Sequence, residues 1–204
     1  MGRPRTFDKA EALTQLRDEF WKRGYAATSL DDLMKATGLG KGSLYLAFGD
    51  KHQLFLEVLD GYIERGLAGV RKALAGDAPA IERLRAFFRS GPKAGGRGCL
   101  LMKSTTELAS SDPEVEERAR RNYRAMEAAF AEVVREAIAE GDLSKEADAE
   151  RLARLLIAVA QGMLFLARTG LTDAELDAIG EEATTRLLGE GRPRRRKPGR
   201  KRSS

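Results

Sequence analysis

Two glycines around one leucine, Gly38-Leu39-Gly40, dictate how the first part of this chain can fold. Glycine readily takes the left-handed conformation that ends a helix, so Gly38 stops one helix and the next starts almost at once. Before the turn, Ser29 and Asp32 have the spacing of a capping box and open a short helix carrying Leu30, Leu33 and Met34. After it, Lys41 to Phe48 forms about two helical turns. Upstream, Asp8 and Glu11 repeat the capping spacing and open a helix with Leu13, Leu16 and Phe20 on one face and Gly24 after its end. Gly49-Asp50 then breaks and recaps the chain, and a longer helix starts at Lys51 with Leu54, Phe55, Val58, Leu59, Tyr62 and Ile63 in register. Three short helices with a glycine turn between the second and third have the layout of a helix-turn-helix. In that unit the third helix fits a major groove about 12 Å wide and begins with groups that can donate to bases or phosphates. Lys41, Gly42, Ser43 and Tyr45 supply a cation, a close-approach glycine, a hydroxyl and an aromatic with a polar tip. Leu44 and Phe48 face inward, toward Leu30, Leu33, Leu16 and Phe20.

The remainder is also helical, giving an all-α fold, since no alternating β-branched run marks a strand. Pro79 fits the first position of a helix carrying Ile81, Leu84, Phe87 and Phe88. Gly91 to Gly98, with four glycines and a proline, reads as the most flexible internal loop. A short helix from about Cys99 to Leu108 and a long one from Asp112-Pro113 to Gly141 follow. Two more run from about Asp148 to Arg168 and from a Thr172 cap through Leu187. Residues 1–52 form the expected helix-turn-helix domain, 53–190 the larger helical domain, and 191–204 a disordered basic tail.

Charge separates these parts. The chain carries 36 Lys+Arg and 31 Asp+Glu, yet Gly191 to Ser204 alone holds eight basic residues and no acid. Residues 1–52 hold 9 basic and 7 acidic groups, a net of +2; residues 53–190 hold 19 and 24, a net of −5. Basic ends on an acidic body point to a polyanion met at particular places. Other function classes fall away. One cysteine, Cys99, rules out an intrachain disulfide and points to a reducing compartment, and with one histidine, His52, it is too little for a zinc finger. No cofactor or metal is expected, and no nucleophile–base pair supports an enzyme. Gly40-Lys41-Gly42-Ser43 is not a phosphate-binding loop, which needs Lys directly before Ser or Thr and a preceding strand. The longest apolar stretch, Leu155 to Ala167, is too short to cross a bilayer, and the N-terminus has no signal-peptide core. A cytoplasmic protein with no membrane partner is expected.

From Gly2 to about Glu64 the sequence resembles the TetR/AcrR family of bacterial transcriptional regulators. The resemblance rests on Gly24-Tyr25-Ala26-Ala27-Thr28-Ser29-Leu30, on Gly38-Leu39-Gly40-Lys41-Gly42-Ser43-Leu44-Tyr45, and on Phe48-Gly49-Asp50-Lys51 leading to Leu54-Phe55. Beyond it, only length, helix order and Gly98-Cys99-Leu100-Leu101-Met102-Lys103 match. The resemblance implies a homodimeric, ligand-responsive repressor on a near-palindromic double-stranded operator, its recognition helices about 34–36 Å apart. It implies DNA contacts by Lys41, Gly42, Ser43 and Tyr45, and phosphate contacts by Thr28, Ser29 and Lys51 at helix starts. Leu46 and Ala47 depart from the polar or aromatic groups common there, and offer only apolar contact, for example to a thymine methyl. His52 is read as a capping or surface histidine.

Other readings stand beside these. Arg3 and Arg5 precede the first cap and suit a minor-groove arm or a disordered start. The tail lacks the arginine of an AT-hook at Glu190, and a non-specific electrostatic tether to DNA fits it better. Driven by that tail, non-specific DNA binding is one alternative function. Cys99, with Lys103 one turn later, is either a redox or electrophile sensor, giving a thiol-sensing repressor, or a packing residue. Phe87, Phe88, Met102, Tyr123, Met126, Phe130, Gln161 and Phe165 suit a hydrophobic small-molecule effector or a plain bundle core. The acidic body favours a neutral or cationic effector. Leu155, Val159, Met163, Leu176, Ile179, Ala183 and Leu187 of the last two helices suit a four-helix dimer interface.

Overall fold

The computed structural model describes residues 7–90 and 97–189. Arg3, Arg5, most of the Gly91–Gly98 loop and the basic tail therefore lie outside the described residues. Among those described, the chain is all helix: α1 (Lys9–Arg23), α2 (Leu30–Thr37), α3 (Lys41–Phe48), α4 (Lys51–Leu74), α5 (Ala80–Ser90), α6 (Leu100–Leu108), α7 (Pro113–Glu140), α8 (Ala149–Leu166) and α9 (Asp173–Leu188). The caps explain the boundaries. Asp8 accepts from the amides of Ala10 and Glu11, Asp50 from Gln53, Asp148 from Arg151, and Thr172 forms a reciprocal box with Glu175. The carbonyl of Pro79 accepts from the amides of Glu82 and Arg83, so α5 starts at Ala80, one residue later than expected.

Two apolar cores divide the molecule. The first joins Leu16 and Phe20 of α1, Leu33 of α2, Leu44 and Phe48 of α3 and the first half of α4, and takes in Leu100 and Leu101 of α6 and Val115 of α7. The second joins the end of α4 to α5, α7, α8 and α9 around an aromatic knot. There Phe87 and Phe130 meet edge to face at 5.2 Å. Gly180 lets α9 approach closely: a Cβ at that position would lie 2.9 Å from the Phe88 carbonyl. The first core runs to Ile63, so α4 is a beam shared by both, and residue 52 lies in its first turn.

With its 3-10 extension Ala167–Thr169, α8 is longer than the apolar run read from sequence, and by length and composition it is long enough to cross a membrane. Here Leu156, Ile157, Ala160 and Met163 face inward, and the helix packs on α7 and α9. Beyond Arg154 its outer side is apolar: Leu155, Ala158, Gly162 and Phe165 are all exposed, spaced by three or four residues.

Candidate nucleic-acid interface

The α2–turn–α3 unit is built as the sequence requires. Ser29 Oγ accepts from the Asp32 amide at 3.1 Å, and the Asp32 carboxylate accepts in return from the Ser29 amide at 3.0 Å and from its hydroxyl at 2.6 Å. Those bonds, the hydroxyl's first, hold the Asp32 carboxyl below its ordinary range. Gly38 ends α2 at φ 66°, ψ 10°, where a side chain would be strained. Leu44 and Phe48 pin α3 to the core, Leu44 at 0% exposure.

Apart from the half-buried Ala47, which packs against the same core, the rest of α3 faces outward. Lys41, Gly42, Ser43, Tyr45 and Leu46 are exposed, Leu46 at 91%. The Lys41 ammonium lies 5.6 Å from the centre of the Tyr45 ring, so cation and phenol form one exposed surface. The start of α3 also differs from the other helices. Each of the other seven α-helices with a described N-cap has its first amides capped by a side chain; Gly40 caps α3 without one, and its first turn holds no acid. Its free N–H groups and the positive end of its dipole point out beside Lys41.

Two of the residues expected at phosphates have side chains bonded within the chain. Thr28 is fully buried, and its hydroxyl donates to the Gly24 carbonyl at 2.5 Å, so its side chain braces the turn between α1 and α2. Lys51 donates to the Tyr25 carbonyl at 2.7 Å and lies 4.4 Å from the centre of that ring. Burial lowers its pKa despite the attraction of Glu107. Ser29 stays exposed, its hydroxyl occupied by the cap. His52 is half-buried rather than free: Nε2 lies 2.7 Å from Asp112 Oδ2, joining the start of α4 to the start of α7.

The turn before α2 also draws on contacts that the sequence did not reveal. Glu107 of α6 accepts from the amides of Tyr25 and Ala26, at 3.0 and 2.6 Å. Lys103, one turn beyond Cys99, donates to the carbonyls of Trp21 and Lys22, both at 3.1 Å. No local signal could reveal these bonds, which span 81 and 82 positions. Cys99 caps α6, its Sγ 3.4 Å from the Met102 amide and 3.6 Å from the Tyr62 hydroxyl that donates to it. Burial first, then the Cys99 sulfur, raises the Tyr62 pKa well above the ordinary phenol value.

The expected effector lining does not come together. Phe88, Met126 and Phe130 interlock in the second core with Phe87, while Tyr123 and Phe165 are exposed at 43% and 57%. Met102 and Gln161 are half-buried. The reason is that α7 and α8 carry apolar residues on both inner and outer sides, so helical spacing alone merges two faces. A hollow of about 480 Å³ lies elsewhere, an open groove edged by Arg71, Leu74, Arg83, Glu132, Val133 and Glu136. Among the described residues, no group of three or more His, Cys, Asp or Glu is placed to hold a metal ion.

Comparison with known proteins agrees with this architecture. Residues 13–58 match the bacterial regulatory proteins of the tetR family, and residues 80–181 match tetracyclin repressor-like C-terminal domains. The chain is 31% identical over 192 residues to the HTH-type transcriptional repressor ComR of Escherichia coli, covering 91% of this chain and 90% of the relative. It is 30% identical over 193 residues to the HTH-type transcriptional regulator YezE of Bacillus subtilis, covering 92% and 98%. Among solved structures it is similar to a cysteine-substituted form of the TetR family regulator CifR complexed with 26-bp double-strand operator DNA. That likeness has 33% identity and a TM-score of 0.79, and covers 90% of this chain and 98% of the other.

Proposed function

Because the chain belongs to the tetR family of bacterial regulatory proteins, we propose that it is a ligand-responsive repressor that binds a palindromic operator as a homodimer. The observation that carries this reading is the outward face of α3, a helix start without a side-chain cap and with Lys41, Ser43, Tyr45 and Leu46 all exposed. An apolar side chain at 91% exposure serves no purpose in the monomer, and a major groove offers it thymine methyl groups. Lys41, Gly42, Ser43 and Tyr45 read bases and phosphates, and the backbone around Ser29 meets the flanking phosphates. Arg3 and Arg5 reach a minor groove. Thr28 and Lys51 act indirectly, by holding the turn that aims α2 and α3. The protein acts by binding rather than by catalysis, in the cytoplasm, where the operator is.

The second copy docks on α8 and α9. Only 28% of the apolar stretch of α8 is buried within the chain, and Leu155, Ala158, Gly162 and Phe165 form a stripe that a partner helix covers. The division of labour follows: residues 1–52 read DNA, 53–190 dimerise and bind a small-molecule effector, and the basic 191–204 tether the complex. The effector acts through its difference in affinity between the DNA-bound and released states.

Selection of bound sequences from random DNA, followed by competition with unrelated DNA at about 150 mM salt, tests this. A specific regulator keeps a preferred site by roughly 10³-fold or more, and Lys41→Ala or Tyr45→Ala erodes that preference. Equal affinity for all sequences contradicts the reading.

A further inference from the structure

The turn between α1 and α2 is held by side chains from a helix about eighty residues away. Lys103 and Glu107 lie one turn apart on α6 and meet groups of opposite polarity. The Lys103 ammonium takes the last carbonyls of α1, at Trp21 and Lys22, where the helix dipole is negative. The Glu107 carboxylate takes the Tyr25 and Ala26 amides, the first peptide N–H groups beyond the glycine that ends α1. Gly24 fits this arrangement twice over. Its φ is 92°, and a Cβ there would lie 2.7 Å from the Glu107 carboxylate and 3.4 Å from the Lys103 chain. From the other side Lys51 of α4 takes the Tyr25 carbonyl. The backbone that leads into α2 is thus bonded by side chains of α6 and α4, and α6 is itself seated through Leu100 and Leu101 in the first core.

We propose that Glu107, with Lys103, is the positioning residue that fixes the rotation of the DNA-reading unit on the body, and so the half-site spacing that the dimer accepts. The inference rests on the regulator reading above. A helix-turn-helix joined to its body by apolar contacts alone can roll, because apolar contact is non-directional. Four charge-assisted bonds, two from each side chain, cannot all be kept while the turn rolls.

The test compares the full-length chain with Glu107→Gln, Glu107→Ala and Lys103→Met in two measurements. The first is amide hydrogen exchange at Tyr25 and Ala26 without DNA. Exchange there is expected to accelerate at least about tenfold in Glu107→Ala and less in Glu107→Gln, which keeps one acceptor, while Leu16 and Leu44 stay protected. The second is affinity for the selected operator and for versions with half-sites moved one base pair closer or farther. The wild type is expected to discriminate between spacings, and Glu107→Ala to lose about fivefold or more of that discrimination while keeping contact with a single half-site. Unchanged exchange at both amides overturns the proposal, whatever DNA does. So does wild-type spacing discrimination in Glu107→Ala, or an affinity loss equal at every spacing, which marks Glu107 as a stability residue only. A wild-type chain that selects no operator overturns the regulator reading and this proposal with it, even where exchange at Tyr25 and Ala26 behaves as expected.

Discussion

Leu44 and Leu46 lie two positions apart on α3 with opposite environments, 0% and 91% exposed, so truncating each to alanine separates folding from recognition. Leu44 is packed in the first core with Leu16, Phe20 and Leu33. Its truncation leaves a cavity as well as lost apolar burial, a cost of about 2–5 kcal/mol in stability. Leu46 touches almost nothing in the free chain, so Leu46→Ala is expected to change stability by no more than about 0.5 kcal/mol. In a complex the balance reverses. Burying a methylene contributes about 0.8 kcal/mol, and the truncation removes three carbons; with half of them covered by the groove, operator affinity falls by about 1–2 kcal/mol, or five- to thirtyfold. Urea unfolding measures the first quantity and fluorescence anisotropy on the selected operator the second. Replacing thymine by uracil within the operator removes only the methyl groups, and at the contacted position it is expected to reproduce the loss without adding to that of Leu46→Ala. Undiminished operator affinity in Leu46→Ala, or a stability loss rivalling that of Leu44→Ala, refutes the assignment of α3's outward face.

Other substitutions probe the supports of that face. Thr28→Val keeps shape but leaves the Gly24 carbonyl without its hydroxyl donor, and is expected to cost about 1–3 kcal/mol in thermal unfolding, whereas Thr28→Ser keeps the bond. A selective loss of DNA affinity with unchanged stability would return Thr28 to the phosphate contacts. Asp112 ties α7 to α4, and its carboxyl titrates below the ordinary 3.8: burial opposes the charge, but His52 and the amides of Val115 and Glu114 outweigh it. A depressed folded value means that Asp112 contributes stability in full above 3.8, and that this is lost as pH falls through the folded value. Unfolding followed as a function of pH should show that acid loss in the wild type and a shallower one in Asp112→Asn, which keeps a capping side chain. On α8, a Cβ at Gly162 meets nothing within 4 Å in the single chain, so Gly162→Leu should leave helix content intact. It should nevertheless weaken self-association at least about tenfold by sedimentation, because an added side chain keeps two packed helices apart. Unaltered association places the partner surface elsewhere.

Where a local signal exists, the chain is readable. Lys41 to Phe48 forms a helix because Gly38 and Gly40 bound it on one side and Gly49 on the other, and the inward turn of Leu44 and Phe48 follows from helical spacing. The starts at Lys51 and Pro113 follow as directly from Asp50 and Asp112. Legibility ends where a side chain chooses between two partners. Thr28 stands at a position suited to a phosphate, yet the Gly24 carbonyl lies one turn back and takes its hydroxyl. Lys51 likewise folds onto Tyr25. Glu107 reads as an ordinary acid on a short helix, and only tertiary packing brings it to the amides of Tyr25 and Ala26. The effector lining misleads for a related reason. Phe165, read as lining, is 57% exposed, while Met163, read as dimer interface, is 1% exposed, because helical spacing alone does not tell the inner face of α8 from its outer one.

The central claim is that two outward α3 faces, joined through α8 and α9, read one symmetric DNA site. Hydroxyl-radical footprinting of the full-length chain on its selected DNA, with the number of chains per duplex counted by sedimentation, tests this directly. The account predicts two chains and two protected patches related by a dyad, about one helical turn or a multiple of it apart. It also predicts that both patches fade together in the Gly162→Leu variant. A single patch bound by one chain, or protection that spreads evenly along the duplex, contradicts it.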